Sequence, residues 1–361
     1  MGNAVREALS VAVQMGQPVL LWGGPGEGKS AVVEQVAAQL GRPCEVVIGS
    51  VREASDFAGL PMRVGDSVSF VPPRWASRCI DRPDTVVFLD ELTTAQPSVQ
   101  AAMLRVVLER EVGDLSLPDT VSIVAAANPP ETSAGGDDLS APLANRFCHL
   151  DWEADLGQWV SGMLRGWEPS ALPVVPSARA THELRWRALV AAFIKARPSL
   201  LRLVPTGAVS QGHAWPSPRT WDRVHRVAAA ADAASAGKAV RAILVEGLVG
   251  PGAAIEFLRY AEEVDLPDPE AVLADPSTLR LDPRVDLLLA SLAAVTTAVA
   301  MECTQQRWEA AWEVLAVVCD QGRADIAALA ATELLELRDA DWPAPRSVAT
   351  FLPILREAAL L

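Results

Sequence analysis

"PVLLWGGPGEGKSAVVEQVAAQL", residues 18–40, joins a strand-like apolar run to a helix-like run through a glycine-rich loop. Gly23, Gly28, Lys29 and Ser30 satisfy the pattern G-x-x-x-x-G-K-[ST]. Glycines let the backbone turn successive N–H groups toward one anion, and the helix that begins near Gly28 adds the positive end of its dipole. The stretch therefore predicts a phosphate-binding loop, in which Lys29 reaches the β and γ phosphates of a nucleotide and the Ser30 hydroxyl ligates Mg²⁺. The residues of this loop are Gly23, Gly24, Pro25, Gly26, Glu27, Gly28, Lys29 and Ser30.

Further strand-length apolar runs follow within the first 155 residues. They mostly lack polar alternation, which is typical of parallel strands that are buried on both faces. Amphipathic stretches at 30–40 and 97–108 lie between them, and the second opens with Pro97, which suits a first helical turn. The alternation predicts an α/β fold with a parallel sheet sandwiched by helices. The predicted strands cover residues 18–22, 44–49, 85–90, 120–128 and 147–152.

An insert at residues 55–78 interrupts this alternation. Within it, "MRV" and "SVSF" flank Gly65 and Asp66, which predicts a small hairpin before the third strand. We expect the hairpin to project from the domain. Most of the eleven tryptophans are expected to lie in the core or at contacts between subunits, but Trp75, in this insert, has the alternative of facing a partner protein.

Composition divides the chain into four parts. Residues 1–167 hold the predicted α/β domain, and the proline-rich residues 168–180 are predicted to be a linker. Beyond the linker the chain is rich in Ala and Leu at helical spacing. Residues 181–260 are expected to form a small helical bundle, and residues 261–361 a second, acidic helical segment.

The stretch "TVVFLDEL", residues 85–92, ends a predicted strand with two acids. Ligands of open α/β sheets bind at the carboxyl ends of the strands. Asp90 is therefore placed to hold the hydration shell of Mg²⁺, and Glu91 to accept a proton from water. The alternative is an ordinary strand that ends in solvated acids.

A third strand-like run, "VSIVAAANPPE", ends in Asn128. Its neutral amide can hydrogen-bond the attacking water or the γ-phosphate without adding a charge that competes with the metal. Taken alone, Asn-Pro after a strand is more typical of a turn. Its place after the loop and the two acids favours the functional interpretation.

The net charge of −14 is distributed unevenly. Residues 261–361 hold 18 Asp or Glu against 7 Arg and no Lys, so they carry −11 of that charge. Such a surface repels a phosphate backbone, which disfavours nucleic acid as the main partner. Solubility or a basic protein partner would each account for the excess. The apolar runs are too short to cross a bilayer and the N-terminus lacks the pattern of a secretory signal, so we expect a cytoplasmic protein.

Five segments, "GGPGEGKS", "VVFLDEL", "AAANPPE", "LANRF" and "SPRTWDRV", follow one another in an order that resembles the AAA+ ATPases. The segment "DFAGLP…FVPPRWASR" before "FLDEL" is similar to the MoxR branch, and the resemblance covers roughly residues 5–230. It implies that residues 23–30 are the Walker A loop, that Asp90 and Glu91 are the Walker B pair, and that Asn128 is sensor 1.

The resemblance also implies roles for two arginines. Arg146 in "LANRF" matches the arginine finger that a subunit offers to the nucleotide of its neighbour. Arg219 in "SPRTWDR" matches sensor 2, which reaches the γ-phosphate of its own chain from a helical lid at residues 181–260. If these two arginines are both needed, hydrolysis would require that the lid closes over the nucleotide and that subunits assemble. Solvated surface arginines are the alternative.

This family implies a homo-oligomeric ring, a hexamer, that couples hydrolysis of Mg²⁺-bound ATP to chaperone-like remodelling or activation of a protein partner. Such partners often carry a von Willebrand factor A domain. The sequence departs from the MoxR pattern after "LDEL", where "TTAQP" replaces the usual "NRAPP", and the acidic extension lies outside the shared core. An ATP-dependent assembly scaffold with little turnover is an alternative function, and a DNA-dependent motor is a third that the charge distribution disfavours.

Overall fold

The structure is a computed structural model, and it describes residues 2–129, 139, 141–167, 170–207, 212–264, 266–281, 283–343, 345, 347, 348 and 351. The chain forms two compact units. The first, called here the N-terminal unit, comprises Met1–Ala178 and Leu201–Ile255, and the second, the C-terminal unit, comprises Arg179–Leu200 and Glu256–Leu361. Within the described ranges, none of the helices combines the length and the apolar character that crossing a bilayer requires.

A five-stranded parallel sheet forms the centre of the N-terminal unit. Its strand order is β2-β5-β8-β1-β9. All residues of β1 and β8 are buried, which explains why these runs show no polar alternation. The sequence-based prediction of a parallel sheet between helices is thereby confirmed. The strands are β1 (Val19–Trp22), β2 (Cys44–Ile48), β3 (Leu60–Val64), β4 (Ser67–Val71), β5 (Val86–Asp90), β6 (Glu111–Val112), β7 (Leu115–Ser116), β8 (Ser122–Ala127) and β9 (Cys148–Asp151).

The register of the sheet defines two edges with different contents. At the carboxyl edge, Trp22 of β1 pairs with Ala127 of β8 and with Asp151 of β9, and Ile48 of β2 pairs with Asp90 of β5. The loops that follow β1, β5 and β8 therefore meet at this edge. Residues that precede β9 lie at the opposite, amino edge.

Helices cover the sheet and form most of the rest of the chain. They are α1 (Gly2–Gln14), α2 (Lys29–Gln39), α3 (Ser55–Ala58), α4 (Arg74–Asp81), α5 (Pro97–Glu109), α6 (Ala141–Ala144), α7 (Leu156–Arg165), α8 (Ala180–Ala196), α9 (Pro218–Ala233), α10 (Gly237–Glu263), α11 (Pro269–Ala274), α12 (Val285–Met301), α13 (Gln305–Asp320) and α14 (Ala324–Glu336). Single 3₁₀ turns occupy Gly49–Val51, Pro198–Leu200 and Pro276–Thr278.

The predicted hairpin is present as β3 and β4, which pair antiparallel around Gly65 and Asp66. Most of its side chains are exposed. A second small hairpin, β6 and β7, was not predicted, and its turn anchors the first. Phe70 N–H donates to Asp114 Oδ2 at 2.7 Å, and a Cβ added to Gly113 would lie 2.5 Å from the Phe70 carbonyl oxygen. Only glycine permits the two hairpins to approach this closely.

Trp75, at the start of α4, is buried rather than turned toward a partner. Its Nε1–H donates to the Asp56 carbonyl oxygen at 3.3 Å, and its ring packs against Phe57. The alternative that Trp75 faces a partner protein is therefore wrong. An aromatic ring of this size is stabilised by apolar burial once its one N–H has an acceptor.

The C-terminal unit is helical, with a core that includes two fully buried tryptophans. Trp308 and Trp312 pack edge to face, and Trp308 Nε1–H donates to the Leu334 carbonyl oxygen at 2.7 Å. Helices α8, α12, α13 and α14 supply most of this core.

The two units do not follow the domain boundaries expected from the sequence. Helix α8 lies in the C-terminal unit, where its Leu184 joins the apolar core, whereas residues 201–255 lie in the N-terminal unit. The predicted bundle at 181–260 is thus divided. Helix α10 carries a kink at Gly250, which has a φ of 77° and precedes Pro251. Part of the predicted linker packs along α1, where Gln14 Nε2 donates to the Pro173 carbonyl oxygen at 2.8 Å.

Candidate nucleotide site

The loop between β1 and α2 has the conformation that its glycines permit. Gly26 and Gly28 both have a φ of 82°, and Gly28 is the residue at which α2 begins. A Cβ added at either position would meet nothing within 4 Å, so these glycines serve the backbone conformation rather than a close contact. Gly23 differs, because a Cβ there would lie 2.6 Å from the Trp152 carbonyl oxygen.

Glu27 braces this loop against the chain that follows β9. Its carboxylate accepts the Ala154 N–H at 2.8 Å, and its carbonyl oxygen accepts the Trp152 Nε1–H at 2.8 Å. The sequence motif gives this position no defined role. In the structure, Glu27 orders the loop through its contacts rather than by facing the loop interior.

Lys29 is buried, and its ammonium group is held by three oxygens. Nζ donates to the Gly23 carbonyl at 2.6 Å, to the Gly24 carbonyl at 3.0 Å and to Asn128 Oδ1 at 2.8 Å. Burial lowers the pKa of Lys29, and the neighbouring Asp90, Glu27 and Glu91 act in the opposite direction. The contact with Asn128 joins the loop after β1 to the end of β8.

Two acids end β5, and they face different partners. Asp90 Oδ2 accepts the Ser30 hydroxyl at 2.8 Å, so the two predicted metal-binding oxygens are adjacent. Glu91 is exposed, has a φ of 59°, and its carboxylate accepts the hydroxyl of Ser50. A left-handed conformation is unfavourable for a residue with a side chain, and such conformations concentrate at functional sites.

Sequence reasoning missed Ser50. It lies in the short turn after β2, and it can reach Glu91 only because β2 pairs with β5. The sequence does show a hydroxyl residue directly after the predicted strand at 44–49. That residue could be linked to Glu91 only if β2 were known to neighbour β5.

Arg146 lies at the other edge of the sheet from the loop. It precedes β9 by two residues, and Gln17, which precedes β1, donates from Nε2 to the Arg146 carbonyl oxygen at 3.4 Å. Strand β9 rises by about 3.3 Å per residue, or roughly 10 Å from Cys148 to Asp151 beside the carboxyl end of β1, and Arg146 precedes that strand by two residues. An arginine side chain does not span that distance, so Arg146 cannot reach the phosphate loop of its own chain.

Arg219, in the first turn of α9, lies near enough to Arg146 for the two charges to interact. Burial lowers the pKa of Arg146, and the positive charge of Arg219 lowers it further. The side chain of Asn145 links the segments that carry the two arginines, because its Oδ1 accepts the Ser217 hydroxyl at 2.7 Å. The resemblance implied that Arg219 acts on its own chain's nucleotide and Arg146 on a neighbour's. The structure brings the segments that carry the two arginines together, because Asn145 and Ser217 are hydrogen-bonded.

His149 has a structural contact on each ring nitrogen. Its Nδ1 accepts the Trp22 Nε1–H at 2.9 Å, and its Nε2–H donates to the Ala144 carbonyl oxygen at 2.8 Å. Both nitrogens are satisfied only in the neutral ring, and burial lowers the pKa of His149 to about 4. The ring of His213 packs on the same Trp22. Among the described residues, no group of three or more His, Cys, Asp or Glu could hold a metal ion by itself.

The fold and the loop define an AAA+ P-loop nucleoside triphosphatase fold. Residues 18–147 match the family model described as AAA domain, dynein-related subfamily. The chain is similar to the crystal structure of a candidate ATPase from Cytophaga hutchinsonii, at 19% identity and a TM-score of 0.41 over 63% of this chain and 74% of that one. It is also similar to a full-length MCM homologue from Methanopyrus kandleri, at 16% identity and a TM-score of 0.36 over 72% of this chain and 55% of that one. No protein of curated function matches the chain.

Proposed function

We propose that this chain is an ATPase of the MoxR type that binds ATP with Mg²⁺ at the loop of residues 23–30 and hydrolyses it. One observation carries the proposal: Lys29, Ser30, Asp90 and Asn128 converge at the carboxyl edge of the sheet. Contacts of 2.8 Å link Ser30 to Asp90 and Lys29 to Asn128. A cation, a carboxylate and a neutral amide around a glycine-rich loop suit a triphosphate.

The donor set at this site fits Mg²⁺. Ser30 Oγ and Asp90 Oδ2 are oxygens, the ligand type that Mg²⁺ prefers, and they lie 2.8 Å apart. These two residues would hold the ion directly or through water. When bound, Mg²⁺ neutralises charge on the β and γ phosphates.

The other residues supply binding, orientation and proton transfer. The loop N–H groups bind the phosphates, and Lys29 exchanges the carbonyls of Gly23 and Gly24 for phosphate oxygens. Asn128 orients the attacking water. Glu91 accepts the proton of that water once its carboxylate leaves Ser50.

We further propose that both arginines serve the ATP bound by a neighbouring copy. The position of Arg146 at the amino edge and the nearby position of Arg219 support this assignment. A chain that supplies cations to another chain's pocket must assemble, and the resemblance favours a hexameric ring that remodels or activates a protein partner, including one with a von Willebrand factor A domain.

The central test is ATP turnover by Glu91→Gln. We expect this variant to bind ATP as tightly as the unmodified chain and to lose about 100-fold or more in kcat, because the amide cannot accept the proton. Glu34→Gln, on the exposed face of α2, removes the same charge away from the site and is expected to turn over normally. Equal turnover by Glu91→Gln and the unmodified chain would remove Glu91 from its role. Affinity capture with Glu91→Gln in ATP would then identify the partner.

A second candidate function is an ATP-dependent assembly scaffold with little turnover. The contact between Ser50 and Glu91 favours it, since a carboxylate that accepts this hydroxyl is withdrawn from the attacking water. A scaffold would assemble on ATP and release phosphate slowly. Rapid turnover by the purified chain without any partner would eliminate it.

A further inference from the structure

Asn145 is a buried polar side chain outside the phosphate loop, and both ends of its amide are hydrogen-bonded. Only 4% of its surface is exposed. Its Nδ2–H donates to the Trp215 carbonyl oxygen at 3.0 Å, and its Oδ1 accepts the Ser217 hydroxyl at 2.7 Å. These two contacts fix which side of the amide is nitrogen and which is oxygen.

Ser217 passes this constraint on to α9. Its Oγ accepts the Thr220 N–H at 3.2 Å, and Thr220 Oγ1 accepts the Ser217 N–H at 2.8 Å, which is a reciprocal cap of the helix start. Arg219 lies between these two residues. The backbone of Arg219 is therefore held in place through Ser217 by the side chain of Asn145, the residue that precedes Arg146.

Among the described residues, no carboxylate lies within 4.0 Å of the guanidinium group of Arg146 or of Arg219. The Arg146 guanidinium makes one hydrogen bond to a described residue, its donation to the Pro142 carbonyl oxygen at 2.7 Å. Two like charges held near each other repel until an anion reaches them. A neutral amide can hold them together without attracting either guanidinium to itself.

The geometry points to Asn145 as a positioning residue, which holds Arg146 and Arg219 as one cationic pair that contacts the triphosphate bound by a neighbouring copy of the chain. This inference rests on the proposed ATPase function. It assigns to Asn145 no contact with substrate. Position 145 requires an uncharged side chain that donates a hydrogen bond to one carbonyl and accepts a hydrogen bond from one hydroxyl.

Asn145→Asp tests that requirement with almost no change of shape. The aspartate still accepts from Ser217, but it turns an oxygen toward the Trp215 carbonyl and adds a negative charge beside both arginines. We expect kcat to fall at least 10-fold with an unchanged KM for ATP, because the phosphate loop that binds ATP lies at the other edge of the sheet. Asn3→Asp adds the same charge at an exposed position and is expected to leave kcat unchanged.

A background without the arginines separates positioning from general damage to the fold. In a chain with Arg146→Ala and Arg219→Ala, adding Asn145→Asp is expected to lower kcat no further, since the residues through which it acts are gone. If Asn145→Asp fails to fold, Ser217→Ala takes its place, because it removes the hydroxyl contact and keeps the contact with Trp215. A further loss of kcat in the arginine-free background, or an unchanged kcat for the single variant, would overturn the inference.

Mixed assemblies test the contact between copies. Chains with Arg146→Ala and Arg219→Ala are expected to keep only a small, measurable residual turnover alone, as are Glu91→Gln chains, and the mixture is expected to exceed both. This gain requires that one chain's arginines serve the other chain's intact Glu91. A mixture that does not exceed both would overturn the assignment to a neighbouring copy, whereas an unmodified chain without turnover would remove the proposed ATPase function itself.

Discussion

Lys29 Nζ lies 2.8 Å from Asn128 Oδ1, although 99 residues separate the two in the chain. The contact follows from the sheet, because β1 and β8 are neighbours and both end at the carboxyl edge. It ties the cation of the phosphate loop to the residue expected to orient water. A substitution at Asn128 is therefore expected to affect Lys29 as well.

Asn128→Asp should weaken ATP binding rather than only slow the reaction. The carboxylate would still accept from Lys29, but it would place a negative charge next to the phosphates and hold the ammonium group more firmly in the loop. We expect the Kd for ATP to rise at least 10-fold. Asn128→Ala, which adds no charge, should instead lower kcat by about 10-fold to 100-fold with a smaller effect on Kd. Equal Kd values for the two variants, from titration with ATP, would contradict this explanation.

Ser50→Ala should raise turnover if the hydroxyl restrains Glu91. Without that hydroxyl the carboxylate is free to accept a proton from water, and we expect the basal kcat to rise about twofold to fivefold in the absence of a partner. Phosphate release measures this directly. Ser67→Ala, at the exposed start of β4, is a matched control with no expected effect. A fall in kcat would assign Ser50 a positive role in catalysis.

His149 should make stability depend on pH. Its pKa is about 4 in the folded chain and 6.5 as the reference value, so between these values the unfolded chain binds the proton more readily. The stability that the neutral ring contributes is complete above about pH 6.5 and is lost as the pH falls toward 4. With 1.36 kcal/mol per pKa unit, the free energy of unfolding should fall by roughly 3 kcal/mol over this range.

Thermal unfolding between pH 4 and 8 checks this prediction. His149→Gln can keep one acceptor and one donor but cannot titrate, so its curve should be flatter than that of the unmodified chain. His213, whose ring lies near that of His149, is present in both proteins. An equally steep fall in the His149→Gln chain would assign the pH dependence to other groups.

Trp308→Phe should destabilise the C-terminal unit by about 1–2 kcal/mol. Phenylalanine fills most of the space of the indole ring, but the Leu334 carbonyl loses its hydrogen-bond donor in a fully buried position. Trp308→Ala should cost about 3–5 kcal/mol, since it also leaves a cavity. Calorimetric unfolding of the full chain measures both values. Trp159→Phe, at a half-exposed position on α7, should change stability by less than about 0.5 kcal/mol, and a cost as large as that of Trp308→Phe would argue against the buried contact.

The local parts of the fold could be predicted from sequence because their signals are local. The five strands of the sheet and the turn at Gly65 and Asp66 lie where apolar runs and turn residues predicted them. The convergence of the phosphate loop, Asp90 and Asn128 also follows from local motifs, because the carboxyl ends of parallel strands share one edge.

Features that depend on packing between distant segments were not predictable in this way. The contact of Ser50 with Glu91 needs the order of β2 and β5, and the contact of Asn145 with Ser217 joins residues that are 72 positions apart. The assignment of α8 to the C-terminal unit depends on which core accepts Leu184, and helical spacing alone does not specify this. The arginines were recognisable one at a time, whereas their common location emerged only in three dimensions.

In the proposed assembly, each copy has a nucleotide pocket at one edge of its sheet and supplies arginines from the other edge. If copies join end to end as proposed, an open row always finishes with one pocket that lacks its arginines and one arginine pair that serves no pocket. Closing the row removes both unfinished ends at once. The number of competent sites then equals the number of chains, and the loss of a single copy silences a site in a chain that is itself intact.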